Sequence, residues 1–376
     1  MNTILSPSVR LIASPGAWIE GEAVRQLYAV SCLEGVRQVV GFPDLHPGKG
    51  APVGAAFVTS GVIYPHLIGG DIGCGMALWK TDLLRRKARL DRWADLRFDL
   101  EHAWEGNAAG WLQDFRLGSN RFDSEMGTIG GGNHFAELQA VERVFDGSEF
   151  EMLGLSREQL VLLVHSGSRG HGHSILWDHV AQHGADGLSP SSDAGVAYLR
   201  NHDLALRWAR ANRALIAHRF LATLGAEGKC AWGGCHNRIS AQDTAEGTVW
   251  IHRKGAVAAD AGPVVIAGTR GSLSYLVKPI GDGEAHAWSL AHGAGRKWSR
   301  SESRLRARER HRLPELVQTP LGGRVVCEER DLLYEEAPMA YKPIESVITA
   351  LVDAGLVEVI ATFRPLLTYK TRAIRR

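Results

Sequence analysis

The segment Leu290-Ala291-His292-Gly293-Ala294-Gly295-Arg296 places one histidine directly before three small residues. Glycine and alanine let backbone amides come close to a bound group, and consecutive amides form an anion-binding nest. A neutral imidazole nitrogen can attack phosphorus without first losing a proton. The segment therefore predicts a nucleophile, His292, beside an anion-binding loop. For this heptapeptide alone, a helix C-terminus that ends at a glycine is the better interpretation, and the rest of the chain favours the nucleophile.

Composition excludes several classes of protein. The chain has 376 residues, of which 45% are hydrophobic and 22% charged, as is typical of a globular protein with a large core. A net charge of +2 means that any affinity for nucleic acid has to come from local patches. No apolar run is long enough to predict a membrane span or a signal for export. Five cysteines without a regular spacing fit a reducing compartment, so we expect a cytoplasmic protein with no membrane partner.

Two turn-rich segments in the first quarter of the chain carry polar side chains. Asp44 and His46 lie two residues apart in a predicted loop, 42–50, and form either an acid/base pair or part of a solvated turn. Asp71 and Cys74 lie three apart among glycines, where both side chains can turn towards one point. Carboxylates and thiolates bind metals, and a thiolate can bridge two of them. Alone, such a pair usually has no function.

Three further segments add histidines to glycine-rich turns. The loop Thr128–Glu137 contains three consecutive glycines and His134, and loops of this kind bind phosphates through backbone amides. In that loop, Glu137 could accept hydrogen bonds from a ribose or a base; the alternative is a turn followed by a capped helix. His165 follows the apolar strand predicted at Leu160–Val164, and His236 follows Cys235 in a third turn.

Helices and strands alternate with these turns along the whole chain. The spacing of apolar residues predicts helices from about Glu20 to Leu33, Leu83 to Leu100 and Asp193 to Leu224, and strands at Arg10–Ile12, Val36–Val40, Val53–Val58 and Val249–Gly255. The most basic run, Arg296–Arg312, is either a contact for a polyanion or a solvated helix. Lys370–Arg376 adds further positive charge. Because no linker or repeat interrupts the pattern, we expect one domain whose site is assembled from many loops.

The five side chains Asp71, Cys74, His134, His165 and His236 could hold two metal ions that share a thiolate. Soft ligands favour Zn²⁺, whereas phosphate substrates favour Mn²⁺ or Mg²⁺. The chain has neither a GxxxxGK[ST] phosphate loop nor a Lys-x-Asp-Gly nucleophile segment. Covalent transfer of a nucleotide would therefore require a different residue.

Taken together and in this order, these segments resemble the RtcB family of GTP-dependent RNA ligases. Each match is weak alone, but the ordered set is specific. The matching segments are Pro43–Gly48, Gly70–Gly75, Gly131–Glu137, His165–Gly170, His236-Asn237, His252–Ala256, His292–Arg296 with Ser299-Arg300, and Glu335–Pro338 with Tyr341-Lys342. The resemblance implies an α+β fold, namely a single RtcB-like domain over residues 1–376 in which helices flank central β-sheets and glycine-rich loops build the site.

The resemblance also implies a cytosolic enzyme that joins RNA ending in a 3′-phosphate or 2′,3′-cyclic phosphate to RNA with a 5′-hydroxyl, using GTP and two Mn²⁺ ions. Asp71, Cys74 and His134 would hold one ion, and Cys74, His165 and His236 the other. His292 would become guanylylated and pass GMP to the RNA 3′-phosphate. An archease-like activator is a conceivable partner that no residue pattern identifies.

By the same resemblance, a guanylate pocket would be lined by Asn133, His134, Phe135, Ala136, Glu137, His236, Asn237, Ala267, Gly268, Thr269, Arg270, Ser274, His292, Gly293, Ala294, Gly295 and Lys370. Two segments depart from the family pattern: Ala267-Gly268-Thr269-Arg270 replaces Pro-Gly-Ser-Met, and Tyr369–Arg372 replaces a Lys-Gly end. Both touch the nucleotide pocket. The chain is also short for the family, which fits a bacterial paralogue that acts in RNA repair rather than tRNA splicing.

Two other classes of function remain open at this point. A metal-dependent phosphoesterase could hydrolyse a cyclic phosphate with the same metals and no nucleotide transfer. A non-catalytic RNA-binding protein could keep the fold, but it would have no need for the five candidate metal ligands and His292.

Overall fold

The computed structural model describes residues 2–6 and 8–372. The described strands, in chain order, are β1 (Asn2–Ser6), β2 (Val9–Ile12), β3 (Val36–His46), β4 (Val53–Thr59), β5 (Gly75–Leu84), β6 (Phe135–Val144), β7 (Gln159–Ser166), β8 (Gly228–Cys235), β9 (Asn237–Thr244), β10 (Gly247–Lys254), β11 (Ala256–Ala258), β12 (Val264–Ile266), β13 (Ser274–Pro279), β14 (Ser289–Ala291), β15 (Arg324–Cys327) and β16 (Val357–Thr371).

The described helices are α1 (Gly21–Ser31), α2 (Leu90–Ala94), α3 (Ala108–Asp114), α4 (Gly147–Met152), α5 (Gly170–His183), α6 (Asp193–Thr223), α7 (Arg300–Arg310), α8 (Leu313–Val317), α9 (Arg330–Glu335) and α10 (Ile344–Asp353). Together with the strands they form the α+β fold that the sequence predicts. No helix in the described part of the chain is long and apolar enough to cross a membrane.

Two large sheets and one small one make up the β-structure. The larger sheet has the order β12-β13-β16-β6-β7-β5-β8, with β15 added in parallel to β16. The second sheet has the order β1-β2-β3-β4-β10-β9. The small sheet consists of β11 and β14. Non-local pairing dominates: β16 follows all other described strands in the chain, yet it lies between β13 and β6.

The apolar patterns of the sequence account for most of these elements. Strand β7 is buried along nearly its whole length because it lies inside the larger sheet, between β6 and β5. Helix α6 packs against the same sheet through buried residues that include Ile216, Phe220 and Leu221, which share a hydrophobic cluster with residues of β6 and β7. The expected helices at the N-terminus and at 193–224 and the expected strands near residues 10, 36, 53, 160 and 249 are confirmed, with shifted ends.

Three local predictions are wrong. The single helix expected over Leu83–Leu100 is the end of β5 followed by short helices, because Leu84 pairs with Gln159 of β7. The loop expected over 42–50 is extended as far as His46, since β3 continues beside β4. The His292 segment follows strand β14 rather than ending a helix. Arg375 and Arg376 lie outside the described residues, and the expectation of one domain over 1–376 stays a prediction.

Candidate active site

A cavity of about 550 Å³ is lined by residues at the ends of several strands, some of which begin at the cavity while others end there. Its wall takes residues from both large sheets and from the loops after β12 and β14. The cavity contains most of the polar side chains that the sequence singles out, so its geometry decides what those residues can do.

Five side chains project from one end of the larger sheet; we call Asp71, Cys74, His134, His165 and His236 the five-residue cluster. Cys74 precedes β5, His134 precedes β6, His165 is near the end of β7, and His236 follows β8. These four strands are neighbours in the order β6-β7-β5-β8 and run antiparallel, so the beginnings of two and the ends of two share one edge. Register therefore brings together side chains that are up to 165 positions apart in the sequence.

The atoms of the cluster that can bind a metal converge at short distances. Cys74 Sγ lies 3.4 Å from His134 Nε2 and 3.3 Å from His165 Nε2. His165 Nε2 lies 3.3 Å from His236 Nε2, and Asp71 Oδ2 lies 3.1 Å from His134 Nε2. The two groups Asp71–Cys74–His134 and Cys74–His165–His236 each have their ligand atoms within 4.8 Å of one another, and Cys74 belongs to both.

This donor set fits metal cations. Burial raises the pKa of the Cys74 thiol and lowers the pKa values of His165 and His236, because water is kept from their charged forms. The imidazoles of His165 and His236 are therefore neutral, and a neutral imidazole has one ring nitrogen whose lone pair can bind a metal ion. Among the described residues, Asp71 Oδ1 and His236 Nδ1 are buried with no hydrogen-bond partner. A bound cation would give the converging Sγ, Nε2 and Asp71 Oδ2 atoms a common partner.

Hydrogen bonds behind the cluster fix its orientation. His134 Nδ1 lies 3.1 Å from the carbonyl oxygen of Ile129, which only accepts, so Nδ1 carries the proton and Nε2 faces the cluster. From the middle of α6, the buried side chains of Asn212 and Arg213 donate to the backbone of the loops beside His165 and Cys74, at Gly167 O and Gly73 O. The long helix thus holds two of the loops that carry the cluster.

On the facing wall, His292 forms a hydrogen bond with a buried carboxylate. His292 Nδ1 lies 2.7 Å from Asp44 Oδ2, and the His292 backbone amide donates to the same oxygen at 3.2 Å. Because a carboxylate only accepts, the proton of the neutral ring lies on Nδ1 and the lone pair on Nε2. The His292 and His236 rings are 4.6 Å apart between centroids. The Asp44–His292 pair therefore presents a nucleophilic nitrogen next to the five-residue cluster.

Close backbone packing holds this pair in place. Lys342 Nζ donates to the carbonyl oxygens of Pro43 and Leu45, at 2.8 and 2.7 Å, on both sides of Asp44. Burial lowers the pKa of Lys342 to about 8. Gly295 has a φ of +70°, and a Cβ there would lie 2.2 Å from Asp44 O. Only glycine therefore fits this position of the His292 loop.

A third part of the cavity wall is built by alternate residues of β6 and β16. Glu137 accepts hydrogen bonds from Gln139 Nε2 at 2.7 Å and from Thr368 Oγ1 at 2.5 Å. Burial raises the pKa of Glu137 to about 7. Lys370 Nζ donates to Gly132 O at 2.7 Å, and burial lowers the pKa of this lysine to about 8. This part of the wall therefore carries a buried carboxyl group and a buried amine, both with pKa values shifted towards neutral pH.

The comparisons with known proteins agree with this geometry. The model of the family described as tRNA-splicing ligase RtcB matches residues 26–114 and 113–371. RNA-splicing ligase RtcB2 of Escherichia coli (strain ATCC 25922) is 46% identical over 369 residues, which are 97% of this chain and 96% of that protein. The RNA-splicing ligase RtcB of Mycobacterium tuberculosis is 29% identical over 91% of this chain and 99% of its own length.

The chain belongs to the RtcB family.

Most residues that the RtcB resemblance assigned to a guanylate pocket line the cavity. They are Asn133, His134, Phe135, Glu137, His236, Asn237, Ala267, Gly268, Thr269, Arg270, His292, Gly293, Ala294, Gly295 and Lys370. All five cluster residues line the cavity, including Asp71, Cys74 and His165, which the resemblance implies only as metal ligands. Their roles in binding GTP and metal stay predictions.

Two members of the expected RtcB pocket do not belong to the cavity wall within the described residues. Ala136 is fully buried in the core because it lies between Phe135 and Glu137 in β6, and alternate residues of a strand face opposite sides. Ser274 lies behind the wall, where its hydroxyl accepts from Gln139 Nε2 and from the Gly268 amide. Ser274 therefore supports the Ala267–Arg270 loop from behind.

Arg270, one of the departures from the RtcB pattern, is buried in the wall. Its guanidinium donates to the carbonyl oxygens of Leu333 and Glu336, at 2.8 and 2.9 Å. It thereby joins the Ala267–Arg270 loop to α9. The altered segment therefore has a structural contact of its own, in addition to lining the cavity.

Several cavity residues were missed at the sequence level. Arg169 and Arg300 contribute positive charge to the wall, and Glu336 binds Arg296 at 2.9 Å and the hydroxyl of Tyr341. Arg300 lies in the segment Ser299-Arg300 that matched the RtcB family, which was the one available signal for it. The sequence pairs Asp44 with His46, and the structure corrects this. His46 Nδ1 contacts the backbone carbonyl oxygen of Asp44, while the Asp44 carboxylate forms its hydrogen bond with His292.

Proposed function

We propose that this RtcB-family chain seals RNA that ends in a 3′-phosphate or 2′,3′-cyclic phosphate to RNA with a 5′-hydroxyl, through a guanylylated His292 and with GTP and two Mn²⁺ ions. As a member of the family, the chain is an RNA ligase. The observation that carries the detailed proposal is the Asp44–His292 pair, whose free Nε2 lies beside the five-residue cluster.

His292 Nε2 attacks the α-phosphorus of GTP, an N–P bond forms, the bond to the β-phosphate oxygen breaks, and pyrophosphate leaves. Asp44 stabilises the positive charge that develops on the imidazole, as a buried carboxylate does for a catalytic histidine. Where the RNA ends in a 2′,3′-cyclic phosphate, water first attacks that phosphorus, the bond to the 2′-oxygen breaks, and the 2′-oxygen takes up a proton, which leaves a 3′-phosphate. An oxygen of the RNA 3′-phosphate then attacks the α-phosphorus on His292, an O–P bond forms, the N–P bond breaks, and His292 leaves as a neutral ring. The 5′-hydroxyl of the second RNA finally attacks the RNA phosphorus, loses its proton, and displaces GMP.

The other residues of the cavity prepare these steps. Glu137 and Lys370 lie where they can recognise the guanine base, and Gly293–Gly295 offer backbone amides close to the phosphates. Asp71, Cys74 and His134 would hold one ion and Cys74, His165 and His236 the other. Bound there, Mn²⁺ ions neutralise phosphate charge and lower the pKa of a bound hydroxyl. Arg169 and Arg300 add positive charge for the RNA backbone.

A single experiment tests the proposal. Metal-free protein is supplied with Mn²⁺, Mg²⁺ or Zn²⁺, with GTP or ATP, and with a synthetic cyclic-phosphate RNA and a 5′-hydroxyl RNA. We expect sealing with Mn²⁺ and GTP, and a protein adduct from GTP labelled at the α-phosphate that is labile to acid and stable to alkali.

The adduct and the sealing are both expected to disappear in His292→Ala and to persist in the control His311→Ala, whose ring contacts Glu315 away from the cavity. Hydrolysis of the cyclic phosphate without any adduct would contradict the proposal and would indicate a metal-dependent phosphodiesterase. RNA binding without sealing or hydrolysis would contradict it in favour of a non-catalytic protein.

A further inference from the structure

The indole of Trp177 lies on the surface of α5 and is largely exposed. The residue is 70% exposed, and Val180, one turn further along the helix, is 45% exposed. An indole ring buries a large apolar area when it finds a partner, so leaving it in water forgoes that stabilisation. Single exposed apolar residues are common on protein surfaces, so exposure alone assigns no role. The position of Trp177 relative to the cavity provides the second observation.

Trp177 is connected to the cavity by one turn of helix. His173, four residues earlier on the same face of α5, lines the cavity, and the His173 and Trp177 rings are 6.2 Å apart at an angle of 50°. His173 also packs against the glycine that precedes Asp71, since a Cβ at Gly70 would lie 2.4 Å from His173 Nδ1. Trp177 therefore lies one ring beyond His173, which itself lines the cavity, with 6.2 Å between the two ring centroids.

The charges around this part of the rim suit a polyanion. Arg169 and Gly170, at the start of α5, line the cavity, and Arg300 lines it as well. Arg300 is exposed and makes no salt bridge within the part of the chain that the structure describes. Proteins that bind single-stranded nucleic acid combine positive charge along the backbone with aromatic rings on which bases stack. Arginines in the wall and a ring just outside it reproduce that combination.

We propose that the open face of Trp177 is a stacking platform for a nucleobase of the RNA strand, close to the end held in the cavity. The proposal rests on the function proposed above, because it assumes that the cavity holds an RNA end. In this arrangement His173 faces the reacting end and Trp177 holds the base further out. Stacking on an indole tolerates any base, so the platform would raise affinity without imposing a sequence.

The test separates RNA binding from nucleotide transfer. Trp177→Ala is expected to raise the KM for RNA about 5- to 150-fold, the range expected for one base–aromatic stack. The rate of His292 guanylylation in the absence of RNA should stay unchanged. Trp177→Phe keeps a ring and should recover most of the loss. Trp18→Ala removes another exposed tryptophan, 58% exposed and outside the cavity wall, and should leave the KM unchanged.

A second measurement asks whether a base is the partner. Sealing is measured with RNA in which each of the last few nucleotides at either end is made abasic in turn. At one position, removal of the base should weaken the binding of RNA to the wild-type chain. The same removal should not weaken the binding of RNA to Trp177→Ala any further. The proposal is overturned if Trp177→Ala leaves the KM unchanged, if its effect is the same at every abasic position, or if the variant instead alters the mass of the protein in solution, which would indicate a protein interface.

Failure of this inference can be distinguished from failure of the proposed function. If the wild-type chain forms no guanylate adduct and seals no RNA, the proposed function fails. If wild-type adduct formation and sealing are normal and only the effect of Trp177→Ala is missing, the function stands and the platform is wrong.

Discussion

The five-residue cluster and the Asp44–His292 pair face the same cavity but are positioned in different ways. The cluster is carried by the ends of four adjacent strands, so the register of one sheet places nearly all of it. The pair joins residues 248 positions apart, and its geometry depends on individual hydrogen bonds to Asp44 and to the strand around it. The position of the cluster therefore rests on the many backbone hydrogen bonds of a sheet, whereas that of the pair rests on a few individual hydrogen bonds.

The largest effect is expected from Cys74→Ala, which removes the one residue common to both groups of the cluster. Metal binding and sealing should both be lost, since the loss of even an outer partner of a metal ligand costs about 10- to 100-fold and Cys74 is a direct ligand in both groups. Metal analysis after dialysis and the sealing rate provide the measurement. Cys235→Ala is the matched control, because that thiol contacts Arg213 behind the cluster. A Cys74→Ala variant that keeps both ions would show that the cluster is not the metal site.

The next largest effect is expected from Asp44→Asn, which alters the Asp44–His292 pair and leaves the five-residue cluster unchanged. Guanylylation should slow by about 10²- to 10⁴-fold, because the amide removes the charge and can stabilise the wrong tautomer of the histidine. Metal content should stay at the wild-type level, and this difference separates the two regions. In the control Asp203→Asn, the altered carboxylate contacts His202 at 3.1 Å away from the cavity, and no effect on guanylylation is expected. Equal loss of metal and guanylylation in Asp44→Asn would contradict the comparison.

A smaller effect is expected from Lys342→Met, which removes the hydrogen bonds on both sides of Asp44. Two buried carbonyl groups lose a charged donor, so the free energy of unfolding should fall by about 2–4 kcal/mol. Guanylylation should slow by roughly tenfold, as the Asp44–His292 distance is less well fixed. Denaturant unfolding and the adduct rate are the measurements.

Lys254→Met provides the matched comparison for Lys342→Met. Lys254 also donates to two backbone carbonyls, of Lys49 and Ala51, and its pKa is likewise lowered to about 8 by burial. A similar loss of stability with little change in guanylylation is expected. If both variants slow guanylylation equally, the effect of Lys342 is one of general stability.

The smallest effect concerns Glu137, which belongs to the larger sheet but faces the expected nucleotide. Burial raises its pKa to about 7, so the carboxylate that would accept from guanine N–H groups forms only as the pH rises through 7. Guanosine, which has no phosphate to titrate, should bind a few-fold more tightly at pH 8 than at pH 6, and Glu137→Gln should remove this dependence. Calorimetry measures both. The same shift works against folding: the unfolded carboxyl loses its proton near pH 4.5, so its contribution to stability falls between about pH 4.5 and 7. A wild-type affinity that does not change with pH would exclude this role for Glu137.

The comparison also shows how far the sequence could predict the site. The cluster could be predicted because each member lies in a glycine-rich turn next to a recognisable strand, as His165 does after the apolar run of β7. The contact between Asp44 and His292 could not, because nothing local to either residue specifies a partner 248 positions away. Unless residues 135–144 are known to form a strand, it cannot be predicted that Glu137 faces the cavity and Ala136 the core. The helix expected over Leu83–Leu100 failed for a similar reason, since pairing with β7 overrode local spacing.

The position of β16 has a consequence for the newly made chain. This strand is synthesised after all the other described strands, yet it fills the gap between β13 and β6 and brings Thr368 and Lys370 to the cavity. Until it is made, β6 and β13 present unpaired edges, which are prone to pair with other chains. A nascent chain on the ribosome can assemble the strands that carry the cluster but not the complete pocket. Translation therefore has to pass residue 370 before the protein can both protect its sheet from aggregation and become active.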